Sequence, residues 1–238
     1  MRRFGKLHAT LPPQPPIANI VDSSSLRLIP KEPLTKSQEQ LLKAKLPDDQ
    51  PGEQVVCVLF GVKLTFNEFR TLDSEQWLND EIVNVYCQLL LARYNEAQAN
   101  ELHVFSSFFY STLVNSKSGY RHQEVAKWTA NVDIFSKRFV FFPMNDNNHW
   151  TLAVADIRIK TLLFFDSLSR AREDKKKKGR DGKGFLRNLY RYLKDEHLLR
   201  KNTNIRGDEW TLISILQAIP QHTNYFDCGV FLCTLSTC

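Results

Sequence analysis

Two apolar, β-rich runs constrain this chain most: Trp150–Asp156 and Thr161–Phe165, separated by a short break. They read as an antiparallel hairpin. A turn at Ile157 and Arg158 gives a register in which His149 faces Asp166. Opposed residues in such a pair hold their Cβ atoms ~4.5–5.5 Å apart, so an Asp–His contact follows. The apolar stretches Leu152–Val154 and Leu162–Phe165 keep that pair at the edge of a core. Upstream, Phe139–Phe142 is a strand ended by Pro143, and Asn145-Asp146-Asn147-Asn148 is a turn cluster leading into His149. Taken singly, His149 also reads as an ordinary loop histidine, and Asp166-Ser167 as an ordinary strand-ending turn.

The stretch from Gln221 to Phe231 changes character at Gly229, from polar and turn-rich to apolar. Asp227 suits a helix N-cap, which puts Cys228 in the first turn of a buried helix. Free N–H groups and the helix dipole there favour a thiolate. A thiol nucleophile needs a neighbouring imidazole, and the imidazole needs an orienting carboxylate. The hairpin offers both. The other uses of Cys228 are as a small buried hydrophobe or, with His222, Cys233 and Cys238, as a metal ligand. Metal binding fits poorly, because cysteines five residues apart diverge by about 140° around a helix.

Eight of the ten prolines lie at or before Pro51. Residues 1–52 read as a Pro-rich, mostly disordered tail, with a short helix near Ser37–Lys45. The domain runs from Glu53 to the end of the 238 residues. Its further expected elements are strands at Val55–Phe60, Val62–Leu64, Leu102–Phe105 and Trp210–Ile219. Helices are expected after Asn79 or Asp80, at Phe108–Leu113, at Tyr120–Thr129 and at Gly184–Leu199. Five cysteines with no CxxC pair argue for a reducing, intracellular compartment. No apolar run reaches membrane length, and no signal core follows the basic N-terminus. The net charge of +6 is localised: residues 170–183 hold eight Lys/Arg against three Asp/Glu, and residues 1–52 hold eight against five. That leaves the rest at −2, so the body carries no nucleic-acid footprint.

Trp77-Leu78-Asn79-Asp80-Glu81-Ile82, His149-Trp150, Phe165-Asp166-Ser167 and Pro220-Gln221 through Asp227-Cys228-Gly229 occur in that order. With Phe105 to Tyr110, Gly119-Tyr120 and Lys127-Trp128, they make residues 55–238 resemble the Ulp/SENP-type cysteine proteases, which process and remove SUMO. The resemblance implies an α+β, papain-like cysteine protease superfamily fold, with a central, mostly antiparallel sheet flanked by helices. It implies a monomeric thiol protease of the nucleus or cytoplasm, with no cofactor or metal, acting after the C-terminal Gly-Gly of SUMO. Its partners would be SUMO and SUMO-conjugated proteins, with no nucleic acid or membrane. By resemblance Cys228 is the nucleophile, His149 its base and Asp166 the residue that fixes the tautomer. Trp77 and Trp150 line a tunnel over the substrate glycines, and Asp80 and Phe108 touch the modifier.

Two departures stand out. The family's oxyanion glutamine lies six residues before the cysteine; here that position is His222, with Gln221 one earlier. The chain also stops ten residues after Cys228, so the expectation is a catalytic domain truncated at its C-terminus, with residues 170–183 as a basic insertion. The alternatives are a protease for another ubiquitin-like modifier such as NEDD8, or a catalytically impaired SUMO-binding relative.

Overall fold

The computed structural model describes residues 17–20, 34–47, 49–97, 100–168, 182–215 and 219–236. Of the basic stretch 170–183, only Gly182 and Lys183 fall among them, and Cys238 lies outside.

Strands β1 (Ile17–Ile20), β4 (Leu102–Val104), β7 (Phe139–Asn145), β8 (Trp150–Asp156), β9 (Thr161–Phe165) and β10 (Thr211–Ile215) form one sheet in the order β1-β10-β9-β8-β7-β4. The β7-β8-β9 centre is antiparallel; the β4–β7, β9–β10 and β1–β10 pairs are parallel. The sheet is therefore mixed, with its antiparallel part where the expected site lies. Two small hairpins stand apart: β2 (Val55–Leu59) with β3 (Val62–Thr65), and β5 (Val114–Asn115) with β6 (Gly119–Tyr120).

Each face of the sheet is covered by helices, so strand residues alternate between two cores. Ala153, Ala155, Leu162 and Phe164 face α4 (Phe108–Leu113) and α6 (Lys183–Lys201), among Phe105, Phe109, Phe142, Leu189 and Tyr192. Trp150, Leu152, Val154 and Phe165 face the other side, among Val83, Cys87, Cys228 and Leu232 of α3 (Asp80–Ala97) and α7 (Cys228–Leu235). The nucleophile's helix thus packs on the face that Trp150 and Leu152 present.

Several expected elements have different bounds. Strand β7 does not end at Pro143, which pairs with Leu152. The β4 ladder reaches only Phe141, so beyond it β7 is an edge strand on that side, where a missing N–H costs no ladder bond. The helix expected over Tyr120–Thr129 is instead strand β6, one α-turn α5 (His122–Val125) and a 3-10 turn (Ala126–Thr129). Its apolar spacing serves a fixed loop: buried Glu196 of α6 holds His122, Thr129 and Arg200. His122 therefore faces a buried carboxylate. Within the expected tail, the short helix is α1 (Lys36–Lys45), closed by a Thr35–Gln38 capping box. Residues Ile17–Ile20 are not loose but an edge strand of the main sheet. Thr65 caps α2 (Phe66–Arg70) through a second capping box with Glu68, as its position suggests.

Candidate active site

The β8–β9 register is two residues away from the one expected. Asp156 pairs with Thr161 and Leu152 with Phe165, which leaves a four-residue turn from Ile157 to Lys160. Asp156 Oδ1 accepts the N–H groups of Arg158 and Ile159, and Lys160 takes a positive φ of 53°; these lengthen the turn. A two-residue shift keeps every side chain on its own face. His149 and Asp166 therefore still lie together, just beyond the ends of β8 and β9. Asn147 and Asn148, both at positive φ, turn the chain back into His149, whose carbonyl accepts the Asp146 N–H at 3.0 Å.

His149 Nε2 donates to Asp166 Oδ1 at 2.7 Å, and both side chains are buried. The same Oδ1 accepts the Leu168 N–H at 2.9 Å, which fixes the carboxylate. The Cys228 side chain lies beside the same imidazole and acts on its charge. With Nε2 taken by Asp166, Nδ1 is the nitrogen that serves the sulfur. Burial works against a charged ring, but the Asp166 carboxylate and Cys228 outweigh it and hold the His149 pKa above its ordinary value. The three expected residues are brought together.

Cys228 is the buried first residue of α7. Asp227 precedes it but does not cap through its side chain. The loop is built instead by Asn224, whose Oδ1 accepts the N–H groups of Phe226 and Asp227 and whose Nδ2 donates to Asp227 Oδ2. Asn224 is a positioning residue that sequence reading missed; an Asn two and three residues before these N–H groups is the signature of an Asx turn. Gly229 is a second omission. A Cβ there would lie 2.9 Å from Leu78 Cβ and 3.1 Å from Trp150 Cδ1. Only glycine lets α7 approach that closely. Gly229→Ala is expected to cost about 1–3 kcal/mol and to displace Cys228, lowering both the thermal midpoint and the alkylation rate of Cys228.

The other described cysteines are differently placed. Burial, then the nearby Cys233, pushes the Cys87 thiol up to about 12. Cys57 lies on the small β2–β3 hairpin. Among the described residues no group of three His, Cys, Asp or Glu is arranged to hold a metal ion.

The expected oxyanion donors are otherwise engaged. Gln221 Nε2 donates to the carbonyls of Asp166 and Ile219 at 3.2 and 3.3 Å. His222 is buried, its backbone N–H donates to Ser167 O, and its Nδ1 faces Asn224 O at 3.0 Å. A carbonyl only accepts, so Nδ1 carries a proton. In the neutral ring Nε2 is then a bare acceptor, and it is buried without a partner.

The expected substrate contacts divide by exposure. Trp77 is 51 % exposed and Phe108 49 %, whereas Trp150 is 2 % exposed and its indole N–H donates to Leu78 O at 2.9 Å. Trp150 is thus a core wall beneath the Trp77–Leu78 segment. Asp80 Oδ1 accepts the Ser107 hydroxyl at 2.7 Å, and Asn84 bonds both the hydroxyl and the backbone N–H of Ser107. This network ties the start of α3 to the start of α4, where Phe108 sits. Asn79, not Asp80, caps α3, accepting the Ile82 N–H at 3.1 Å.

Residues 76–238 match the model of the Ulp1 protease family, C-terminal catalytic domain. The chain belongs to the Ulp1 protease family. Sentrin-specific protease 2 of Mus musculus is 36% identical over 184 residues, which is 77% of this chain and 29% of that protein. Sentrin-specific protease of Caenorhabditis elegans is 35% identical over 202 residues, 84% of this chain and 26% of the relative. The chain thus spans less than a third of the length of these family relatives. Among solved structures, the yeast Ulp1 protease domain in complex with Smt3, the yeast ortholog of SUMO, superposes with a TM-score of 0.67 at 26% identity, covering 89% of this chain and 85% of that one. The Ulp1-like SUMO protease catalytic domain of Chaetomium thermophilum reaches a TM-score of 0.71 at 20% identity over 87% of this chain and 79% of that one, a likeness of fold. The family fold is the α+β arrangement expected. No helix among the described residues is long and apolar enough to cross a membrane.

Proposed function

We propose that this chain is a thiol protease that cleaves after the C-terminal Gly-Gly of SUMO, releasing it from target lysines or from its precursor. The carrying observation is the buried relay of Cys228, His149 and Asp166 in a chain of the Ulp1 protease family. The relatives named for Sentrin and SUMO support that choice of modifier.

In this reading His149 Nδ1 takes the thiol proton and Cys228 Sγ attacks the last glycine's carbonyl carbon. The backbone N–H of Cys228, in the first turn of α7, faces the developing oxyanion. The tetrahedral intermediate expels the lysine amine, which takes its proton from His149. Water then hydrolyses the thioester, with the imidazole as base, and restores the thiol. Asp166 keeps the Nε2 proton in place throughout. Trp77 and Phe108 supply exposed aromatic surface toward the modifier, and Asp80 joins the contact from the start of α3. SUMO is the partner, and the compartment is intracellular.

Incubation with precursors of SUMO and NEDD8 tests the reading: scission after Gly-Gly of SUMO is expected, and scission of NEDD8 alone would assign the other modifier. A catalytically impaired relative is the second reading, favoured by His222. Its Nδ1 proton is spent on Asn224 O, so the neutral ring offers an oxyanion no N–H. His222→Gln, which restores an amide donor, is expected to raise turnover about tenfold. Unchanged turnover would remove position 222 from oxyanion binding.

A further inference from the structure

Strand β1 has no place in the relay just described, yet its position bears on it. Ile17, Ala18, Asn19 and Ile20 run parallel to β10, opposite Leu212, Ile213, Ser214 and Ile215. On its other side β10 pairs with β9, with Ile215 opposite Phe165, and Phe165 pairs in turn with Leu152. One row therefore crosses the sheet from Ile20 through Ile215 and Phe165 to Leu152. Asp166 is the next residue after Phe165.

Residues from Ile219 onward return to this place. Ile219 is buried, Gln221 Nε2 donates to Asp166 O, and the His222 N–H donates to Ser167 O. Cys228 follows on the same loop. So β10 lies between the N-terminal strand and β9, and the loop from Ile219 is tied to Asp166 and Ser167, just past the end of β9. Without β1, β10 would be the sheet edge, with its outward N–H and C=O groups unpaired.

We propose that Ile17–Ile20 is a working edge strand that holds β10 and, through it, the loop Ile219–Asp227 in the geometry that presents Cys228. The bearing on catalysis rests on Cys228 being the nucleophile; the ordering of β10 and the loop does not. An edge strand is also a part readily withdrawn, so release of Ile17–Ile20 slackens the site from a distance.

The test uses the full chain with Ala18→Pro and, separately, Asn19→Pro. In a parallel strand neighbouring residues point their N–H groups in opposite directions, so one of the two positions carries a ladder donor. Amide hydrogen exchange is read in peptides covering residues 212–215 and 219–227. At least one variant is expected to exchange about 10- to 30-fold faster in both peptides, the effect of losing about two ladder bonds. Unchanged exchange in both variants overturns the proposal, as does faster exchange at 212–215 with none at 219–227. A wild-type protein that fails to react with SUMO substrates overturns the functional reading and leaves the exchange result to decide this one.

Discussion

Cys228→Ala is expected to lower turnover of a SUMO precursor by on the order of 10⁶, to the background set by binding alone. Cys228 is the described cysteine that acts on the imidazole a buried carboxylate orients. Cys87 offers no substitute, because burial raises its thiol to about 12 and keeps it protonated. Since Cys228 is a small buried side chain at the head of α7, alanine there leaves the core nearly filled. Loss of activity with an unchanged melting midpoint is the outcome that separates chemistry from folding.

Asp166 is the second large effect. Asp166→Ala is expected to cost about 10³–10⁴ in turnover, because His149 loses the acceptor that fixes Nε2–H and turns Nδ1 to the sulfur. It also leaves the Leu168 N–H without its acceptor. Asp166→Asn is milder, since its Oδ1 can accept the same two N–H groups without the charge. Its signature lies in pH dependence. The carboxylate helps hold the His149 pKa above its ordinary value, against the opposing pull of burial. Removing the charge lowers that pKa, so the acid limb of the rate profile, below which the base is protonated, moves to lower pH. Linkage gives the matching stability effect. A raised folded-state pKa contributes stability that is full below the unfolded value near 6.5 and is lost as pH rises through the folded one. Asp166→Asn should therefore lose most stability, relative to wild type, on the acid side of that window. A stability deficit that grows toward alkaline pH would contradict this assignment of charge.

The relay was legible from the hairpin because side-chain direction repeats every two residues. The expected turn at Ile157 and Arg158 was too short by two residues, but parity was preserved and His149 still met Asp166. Had the Asp156 side chain and the left-handed Lys160 lengthened the turn by one residue, the pair would have parted. What depended on three-dimensional neighbours stayed hidden. Pro143 marks a strand end by local rule, yet it sits inside β7 because β4 stops short of it. Asp227 has the chemistry of a cap, but Asn224 engages its carboxylate instead. Trp150 lies in a core that only the meeting of α3, α7 and β8 creates. Strand β1 was lost in a proline-rich context, where four residues reveal nothing of a partner far along the chain.

The most direct test is covalent capture. The 238-residue chain is incubated with SUMO bearing a C-terminal electrophile in place of the last carbonyl, and the site of attachment is read by peptide mass spectrometry. The expected result is one equivalent of SUMO on Cys228, absent in Cys228→Ala and strongly slowed in Asp166→Ala. Attachment at another cysteine, or an equal rate in Asp166→Ala, would contradict a nucleophile driven by the His149–Asp166 pair.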